Sequence, residues 1–180
     1  MKVLLISGST RSGSANTAAL VTAAALAPGG VTTALYRGLD ILPAFNPDHD
    51  GDRVPEPVAE LRREIEGADA VLFCTPEYAG TLPGSFKNLL DWTVGGGDLY
   101  HKPVAWINVA AEGRGEGAQA TLEAVLRYVE AVPIESACTR ILIPRDTLGP
   151  DGAVTDASIR TRIGDVLATI ADSLWQETAE

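Results

Sequence analysis

Short apolar runs alternate with longer amphipathic ones along this chain. Val3-Leu4-Leu5-Ile6 is continuously apolar and stops at Ser7-Gly8-Ser9, the pattern of a strand covered on both faces. From Asn16 or a neighbour, Ala18, Leu20, Val21, Ala24 and Leu26 recur at helical spacing until Pro28-Gly29-Gly30 closes the segment. Val31 to Tyr36 reads as a second strand. Pro55-Glu56-Pro57 opens a helix that carries Val58, Leu61 and Ile65 on one face, and Ala70 to Phe73 is a third buried strand. A helix from about Pro83 to Trp92 precedes a fourth strand, Val104 to Ile107. Leu122, Val125, Leu126 and Val129 then mark a helix, Ala137 to Ile143 a fifth strand, and Ile159 to Leu174 a final helix.

Buried strands separated by helices require a parallel sheet covered on both sides. Five such β-α units predict a doubly wound α/β architecture, read as one domain over residues 1–180. Gly38 to Val54 lacks any periodicity. Following the second strand, it is expected at the carboxyl edge of the sheet, as a rim of the site.

Composition narrows the classes of function. The chain has 180 residues, of which 46% are hydrophobic and 21% charged, the balance of an ordinary globular protein rather than a disordered one. Its net charge of −10, with no Lys/Arg cluster, argues against nucleic acid or an anionic membrane surface as partner. No apolar run approaches the ~18 residues of a membrane span, and the apolar stretch after Met1-Lys2 is too short for a signal-peptide core. Cys74 and Cys138 both lie in apolar stretches and read as small core residues, suited to a reducing cytoplasm.

Ligands of open α/β sheets bind beyond the carboxyl ends of the strands, where strand order reverses. For a five-stranded order 2-1-3-4-5 that point lies between the first and third strands, and unusual loops follow both. Gly8-Ser9-Thr10-Arg11-Ser12-Gly13-Ser14-Ala15-Asn16 offers hydroxyls, a guanidinium and the free N–H groups of a helix start, which suit a phosphate. It is neither a Walker loop nor a G-x-G-x-x-G turn; a plain polar turn with a Ser/Asn cap is the other reading. Thr75-Pro76-Glu77-Tyr78-Ala79-Gly80-Thr81-Leu82-Pro83-Gly84 is a turn whose backbone and Tyr78 ring suit a planar heterocycle, although such turns are also common without a ligand. After the fourth strand, Ala111-Glu112-Gly113-Arg114-Gly115-Glu116-Gly117 allows close backbone approach, or is simply flexible. Asp48-His49-Asp50-Gly51-Asp52 has only superficial calcium-loop spacing: Arg53 stands where that loop needs Gly, and Glu60 falls one residue late, so no metal is expected.

Taken together, Gly8-Ser9-x-Arg11-x-x-Ser14-x-Asn16 and Pro76-Glu77-Tyr78-x-Gly80-x-x-Pro83-Gly84-x-x-Lys87-Asn88-x-x-Asp91-Trp92 resemble the NADPH-dependent FMN reductase family. The resemblance runs along essentially the whole chain, including Phe45-Asn46-Pro47-Asp48. It implies a flavodoxin-like three-layer sandwich, with FMN as cofactor and NADPH or NADH as co-substrate. It further implies that Ser9, Arg11, Ser14, Ala15 and Asn16 hold the FMN phosphate. Pro76, Glu77, Tyr78, Ala79 and Gly80 would line the isoalloxazine ring, and Ala111, Glu112 and Gly113 would meet its other side. The helix bearing Asp91 and Trp92 would help to form a homodimer, with a homotetramer the other possibility. Two positions depart from the family pattern: Ala79 replaces a common Asn, and Ala110-Ala111 replaces Ser or Thr.

Hydride transfer to flavin needs no catalytic side chain of the protein, because the cofactor carries the chemistry. The resemblance therefore implies a shared open ring face, used in turn by the nicotinamide and by a small acceptor such as a quinone, azo compound, metal oxyanion or free flavin. Arg11 and Arg114 are candidates to pair with the phosphates of the nicotinamide cofactor; for Arg114 a solvated loop charge is the other reading. A flavodoxin-type electron carrier and an FMN-less binding module remain as alternatives, the latter favoured by Ala79 and Ala111.

Overall fold

The computed structural model describes residues 1–51 and 54–177; Asp52 and Arg53, which belong to the calcium-like stretch, lie outside the described residues. Strands β1 (Lys2–Ser7), β2 (Thr32–Tyr36), β3 (Ala70–Cys74), β4 (Pro103–Asn108), β5 (Val132–Pro133) and β6 (Thr139–Arg140) form one parallel sheet. The order is β2-β1-β3-β4-β5, and β6 also pairs with β4. The connecting helices are α1 (Ala15–Ala25), α2 (Glu56–Glu66), α3 (Gly84–Trp92) and α4 (Glu116–Tyr128), and the chain continues past β6 into α5 (Ala157–Glu177).

Alternation along each strand explains the continuous apolar runs. Val3, Leu5, Leu72, Cys74, Ala105 and Ile107 point to one face, where Leu20, Ala23, Ile163, Leu167 and Ile170 of α1 and α5 cover them. Leu4, Ile6, Val71, Phe73, Val104 and Trp106 point to the other, under Leu61 and Ile65 of α2, Phe86 and Leu90 of α3, and Leu122 and Leu126 of α4.

The fifth strand departs from the sequence expectation. Instead of one strand over Ala137 to Ile143, pairing begins earlier, at Val132–Pro133, then breaks at a 3-10 turn over Glu135–Ala137 and resumes at Thr139–Arg140. Pro133 has no N–H to donate, which favours an interrupted edge over a central ladder. Ile141 and Ile143 are buried because they alternate inward just beyond β6.

The long loop after β2 is fastened rather than free. The Asn88 amide donates to Pro43 O at 2.9 Å and accepts from Phe45 N at 2.7 Å, and the Trp92 indole N–H donates to Pro43 O at 2.8 Å. The Phe45 ring meets Trp92 edge-on at 4.9 Å. Further along, Asp50 pairs with Arg62 of α2 at 2.6 Å, and Arg62 also donates to Trp92 O and lies 3.3 Å from Asp98. Among the described residues of this loop, its start, Leu39 and Asp40, lines the cavity described below.

Candidate flavin site

The loop after β1 is shaped by its own side chains. Ser7 Oγ accepts from Ser9 N at 3.2 Å, and Ser9 Oγ accepts from Arg11 N at 3.3 Å. Gly8 is required here, because a Cβ would stand 2.2 Å from Thr75 Oγ1. Ser14 caps α1, its hydroxyl accepting from Asn16 N at 3.2 Å. Asn16 is equally buried, and its side-chain oxygen accepts from the Cys74 thiol at 3.4 Å. Ser9 and Arg11 line a cavity of about 320 Å³, together with Thr10, Ser12 and Thr17 and with Arg37 and Asp40 from beyond β2. Ser14, Ala15 and Asn16 are not among the residues that line it; Ser14 caps the helix start, and Asn16 ties that helix start to β3. Among the described residues, the N–H groups of Thr10, Ser12 and Gly13 meet no protein acceptor.

The loop after β3 closes in a two-residue turn. Tyr78 N donates to Thr81 O at 3.0 Å and Thr81 N to Tyr78 O at 3.1 Å, with Ala79 at φ 51 and Gly80 at φ 77. Two consecutive positive φ values define a type I′ turn, which Asn-Gly and Gly-Gly adopt readily and Ala-Gly only under strain. Tyr78 leaves half of its surface exposed beside the turn.

This turn is bound to the next loop. Helix α4 starts after Gly115 without a side-chain cap of its own. Its cap comes from Glu77, whose carboxylate accepts from Gly117 N at 2.8 Å and Ala118 N at 3.2 Å, a negative group at a helix N-terminus. Gly117 passes so close to Gly80 that a Cβ would stand 2.0 Å from its carbonyl oxygen. Thr81 and Thr121 share a hydroxyl hydrogen bond of 2.9 Å. The Glu77 carboxylate is thus engaged in holding α4, a role its place in the motif does not disclose.

Asn108 braces the third loop. At the end of β4 it is buried, accepts from Ala110 N at 3.0 Å, and donates to Gly115 O at 3.2 Å and Gln119 Oε1 at 3.1 Å. A lone amide closing the run Val104-Ala105-Trp106-Ile107 was the available signal for it. Ala111, Glu112 and Gly113 are exposed on this loop, with Gly113 at φ 73. Arg114 is exposed as well. Burial pushes the Cys74 thiol far up and that of Cys138 to about 11, so neither presents a thiolate near neutral pH.

The donor set fits FMN: a hydroxyl-lined cavity with a guanidinium and free N–H groups suits its phosphate, and the braced turns beyond β3 and β4 suit its flat ring. Comparison with known proteins points the same way. The family model described as NADPH-dependent FMN reductase matches residues 1–140. An NAD(P)H-dependent FMN reductase of Pseudomonas aeruginosa is 33% identical over 178 residues, covering 97% of this chain and 95% of that protein. A 2-hydroxy-1,4-benzoquinone reductase of a Burkholderia species is 34% identical over 142 residues, 73% of each chain. Among solved structures, the flavoenzyme NAD(P)H:(acceptor) oxidoreductase of Paracoccus denitrificans superposes with a TM-score of 0.83 at 31% identity over 97% of both chains. The chain belongs to the NADPH-dependent FMN reductase family, and it is an FMN-dependent oxidoreductase that draws electrons from NAD(P)H.

Proposed function

We propose that residues 1–180 act as one FMN-binding unit in which Ser9 and Arg11 hold the cofactor phosphate, while the 76–80 turn and the loop from Ala111 to Gly113 flank the ring. The observation that carries this assignment is the cavity beyond β1, where Arg11, hydroxyl groups and unpartnered N–H groups converge. Two-electron transfer between a nicotinamide and an acceptor is the chemistry FMN supplies when bound. Everything else is the work of this chain. Arg11 and the free amides neutralise a phosphate dianion, each charge-assisted hydrogen bond contributing about 1.5–3 kcal/mol. Ser14 and Asn16 fix the helix start behind them, and Glu77 locks the ring-side turn onto α4.

Reductant and acceptor use the same exposed ring face in turn, giving ping-pong kinetics. Quinones and azo compounds are the acceptors to try first, in keeping with the benzoquinone reductase relative. The enzyme works as a homodimer or homotetramer in the cytoplasm, with neither nucleic acid nor membrane as partner. In support, the chain is strongly acidic, and no described helix is long and apolar enough to cross a membrane.

The test is the visible spectrum of the FMN-reconstituted protein, recorded anaerobically before and after NADPH. Bleaching of the bound flavin is expected. Flavin that binds but stays oxidised would make the protein a carrier fed by another enzyme, and failure to retain flavin would overturn the phosphate-cavity assignment.

A further inference from the structure

One side chain from outside the loop after β4 gathers several of its carbonyls. Arg140, on the short edge strand β6, directs one guanidinium nitrogen, Nη1, at three carbonyl oxygens: Ala110 at 3.3 Å, Ala111 at 2.9 Å and Arg114 at 2.8 Å. Arg140 is itself held, its carbonyl accepting from Arg162 of α5 at 2.7 Å. Nothing in the loop's composition requires this. Arg140 lies about thirty residues downstream of the carbonyls it binds and outside every motif described above.

In a planar trans peptide the C=O of one residue and the N–H of the next point in opposite directions. Drawing the Ala110 and Ala111 carbonyls toward β6 therefore turns the N–H groups of Ala111 and Glu112 the other way. β6 pairs on one side of β4, and β3, which leads into the 75–81 loop, pairs on the other. Among the described residues, neither N–H meets a protein acceptor, and both belong to exposed residues. Asn108 secures the base of the same loop through Ala110 N and Gly115 O. Two free amides thus point away from the carbonyls that Arg140 holds.

We propose that Arg140 is a positioning residue for the flavin: it collects the loop carbonyls on the β6 side so that the amides of Ala111 and Glu112 point at the polar edge of the ring, where negative charge gathers on reduction. The inference rests on the ring placement proposed above. Preorganised N–H groups aimed at developing charge stabilise it far better than mobile ones, because no reorganisation is needed when the charge appears. This also accounts for Ala110-Ala111 serving where relatives offer hydroxyls: the backbone supplies the donors, provided it is held.

Arg140→Met removes the grip and keeps most of the side-chain length. Three measurements are expected to change. In the protein without flavin, hydrogen exchange accelerates at Ala110 and Arg114, whose N–H groups donate to Asn108 Oδ1 and to Ala111 O, each at 3.0 Å. With flavin, FMN affinity falls at least tenfold. Reduced flavin is lost preferentially, so the two-electron midpoint potential of the bound cofactor drops by about 30 mV for each tenfold bias against the reduced form. A purely structural role would weaken both redox forms equally and leave the potential where it was, and that result overturns the proposal. Should Arg140→Met not fold, Arg140→Lys serves, since a compact ammonium does not reproduce the guanidinium fork. It is expected to shift the potential in the same direction by less, and no shift would refute the idea equally. If wild-type protein holds no FMN, the site assignment fails; if it holds FMN and the variants match its potential, only the role of Arg140 does.

Discussion

Ala79 occupies a conformation that suits other residues better, and the consequence can be measured. In the type I′ turn from Tyr78 to Thr81 both central residues have positive φ, 51° at Ala79 and 77° at Gly80. A residue with a Cβ pays roughly 1–2 kcal/mol to stand in this left-handed region, and Asn pays least among such residues. Ala79→Asn is therefore expected to stabilise the protein by about 1 kcal/mol. For a domain of this size that is a rise of about 2–4 °C in Tm. Ala79→Gly relieves the same strain but loses roughly 0.5–1 kcal/mol through the greater freedom of the unfolded chain, so it should fall near wild type. Ala79→Val, β-branched, should be less stable than wild type. Gly80→Ala is the control: its Cβ would meet nothing within 4 Å, so any loss of about 1–2 kcal/mol comes from backbone conformation alone. Thermal or urea unfolding of flavin-free protein gives all four values without interference from ligand. The order Asn, then Gly and wild type, then Val is required. If Ala79→Asn is no more stable than wild type while Gly80→Ala is neutral, the turn is not of this type in solution and the strain argument fails.

Two more predictions concern charges held by backbone. Glu77→Ala leaves the first N–H groups of α4 without their cap and should cost about 1–3 kcal/mol, read as a lower midpoint in urea with an unchanged slope; an unchanged midpoint would show that the carboxylate is not at the helix end. Burial pushes the Asp98 carboxyl up to about 6, against the pull of Arg62 and helped by Asp50 and Glu66. A carboxyl with a raised folded-state pKa binds its proton more tightly folded than unfolded, so its stabilising contribution is present at low pH and fades as pH rises through about 6. The stability of wild type relative to Asp98→Asn should therefore fall between pH 4 and pH 7 by on the order of 2 kcal/mol, levelling off above that, and a pH-independent difference would refute it.

The family pattern commonly places Asn at the position of Ala79, and the turn gives that preference a backbone reason. Read from residues alone, the replacement suggests a lost side-chain contact with the ring. Seen in the turn, it is first a question of φ, because Asn tolerates the left-handed region and Ala resists it. The positions of strands and helices and the two cores follow from hydrophobic periodicity, since burial on both faces leaves its mark in unbroken runs such as Val3 to Ile6 and Ala70 to Phe73, whereas the strand order is what the family resemblance implies. The edge beyond β4 was less legible. Ile141 and Ile143 are as apolar as strand residues, yet pairing depends on which N–H groups are available, and Pro133 and the 3-10 turn interrupt it.

The site shows the same division more sharply. Its candidate loops could be picked out from composition and position, because glycines, hydroxyls and a guanidinium after parallel strands suit a ligand, although each loop alone also reads as an ordinary turn. What holds those loops could not, because a brace is one side chain acting on backbone that lies far away in sequence. Glu77 reaches Gly117 across 40 residues, Asn88 reaches Pro43 across 45, and Arg140 reaches Ala111 across 29. Backbone acceptors and donors carry no residue identity, so no pattern at Gly117, Pro43 or Ala111 records the partner. Each brace nevertheless answers a definite need: an uncapped helix start, a long loop without periodicity, and carbonyls that must turn aside for amides to face a ligand. The first two needs are visible in the sequence even where the residues that meet them are not. Chemistry-bearing loops that lack local caps therefore call for a search among the distant Glu, Asn and Arg residues that the motifs leave unexplained.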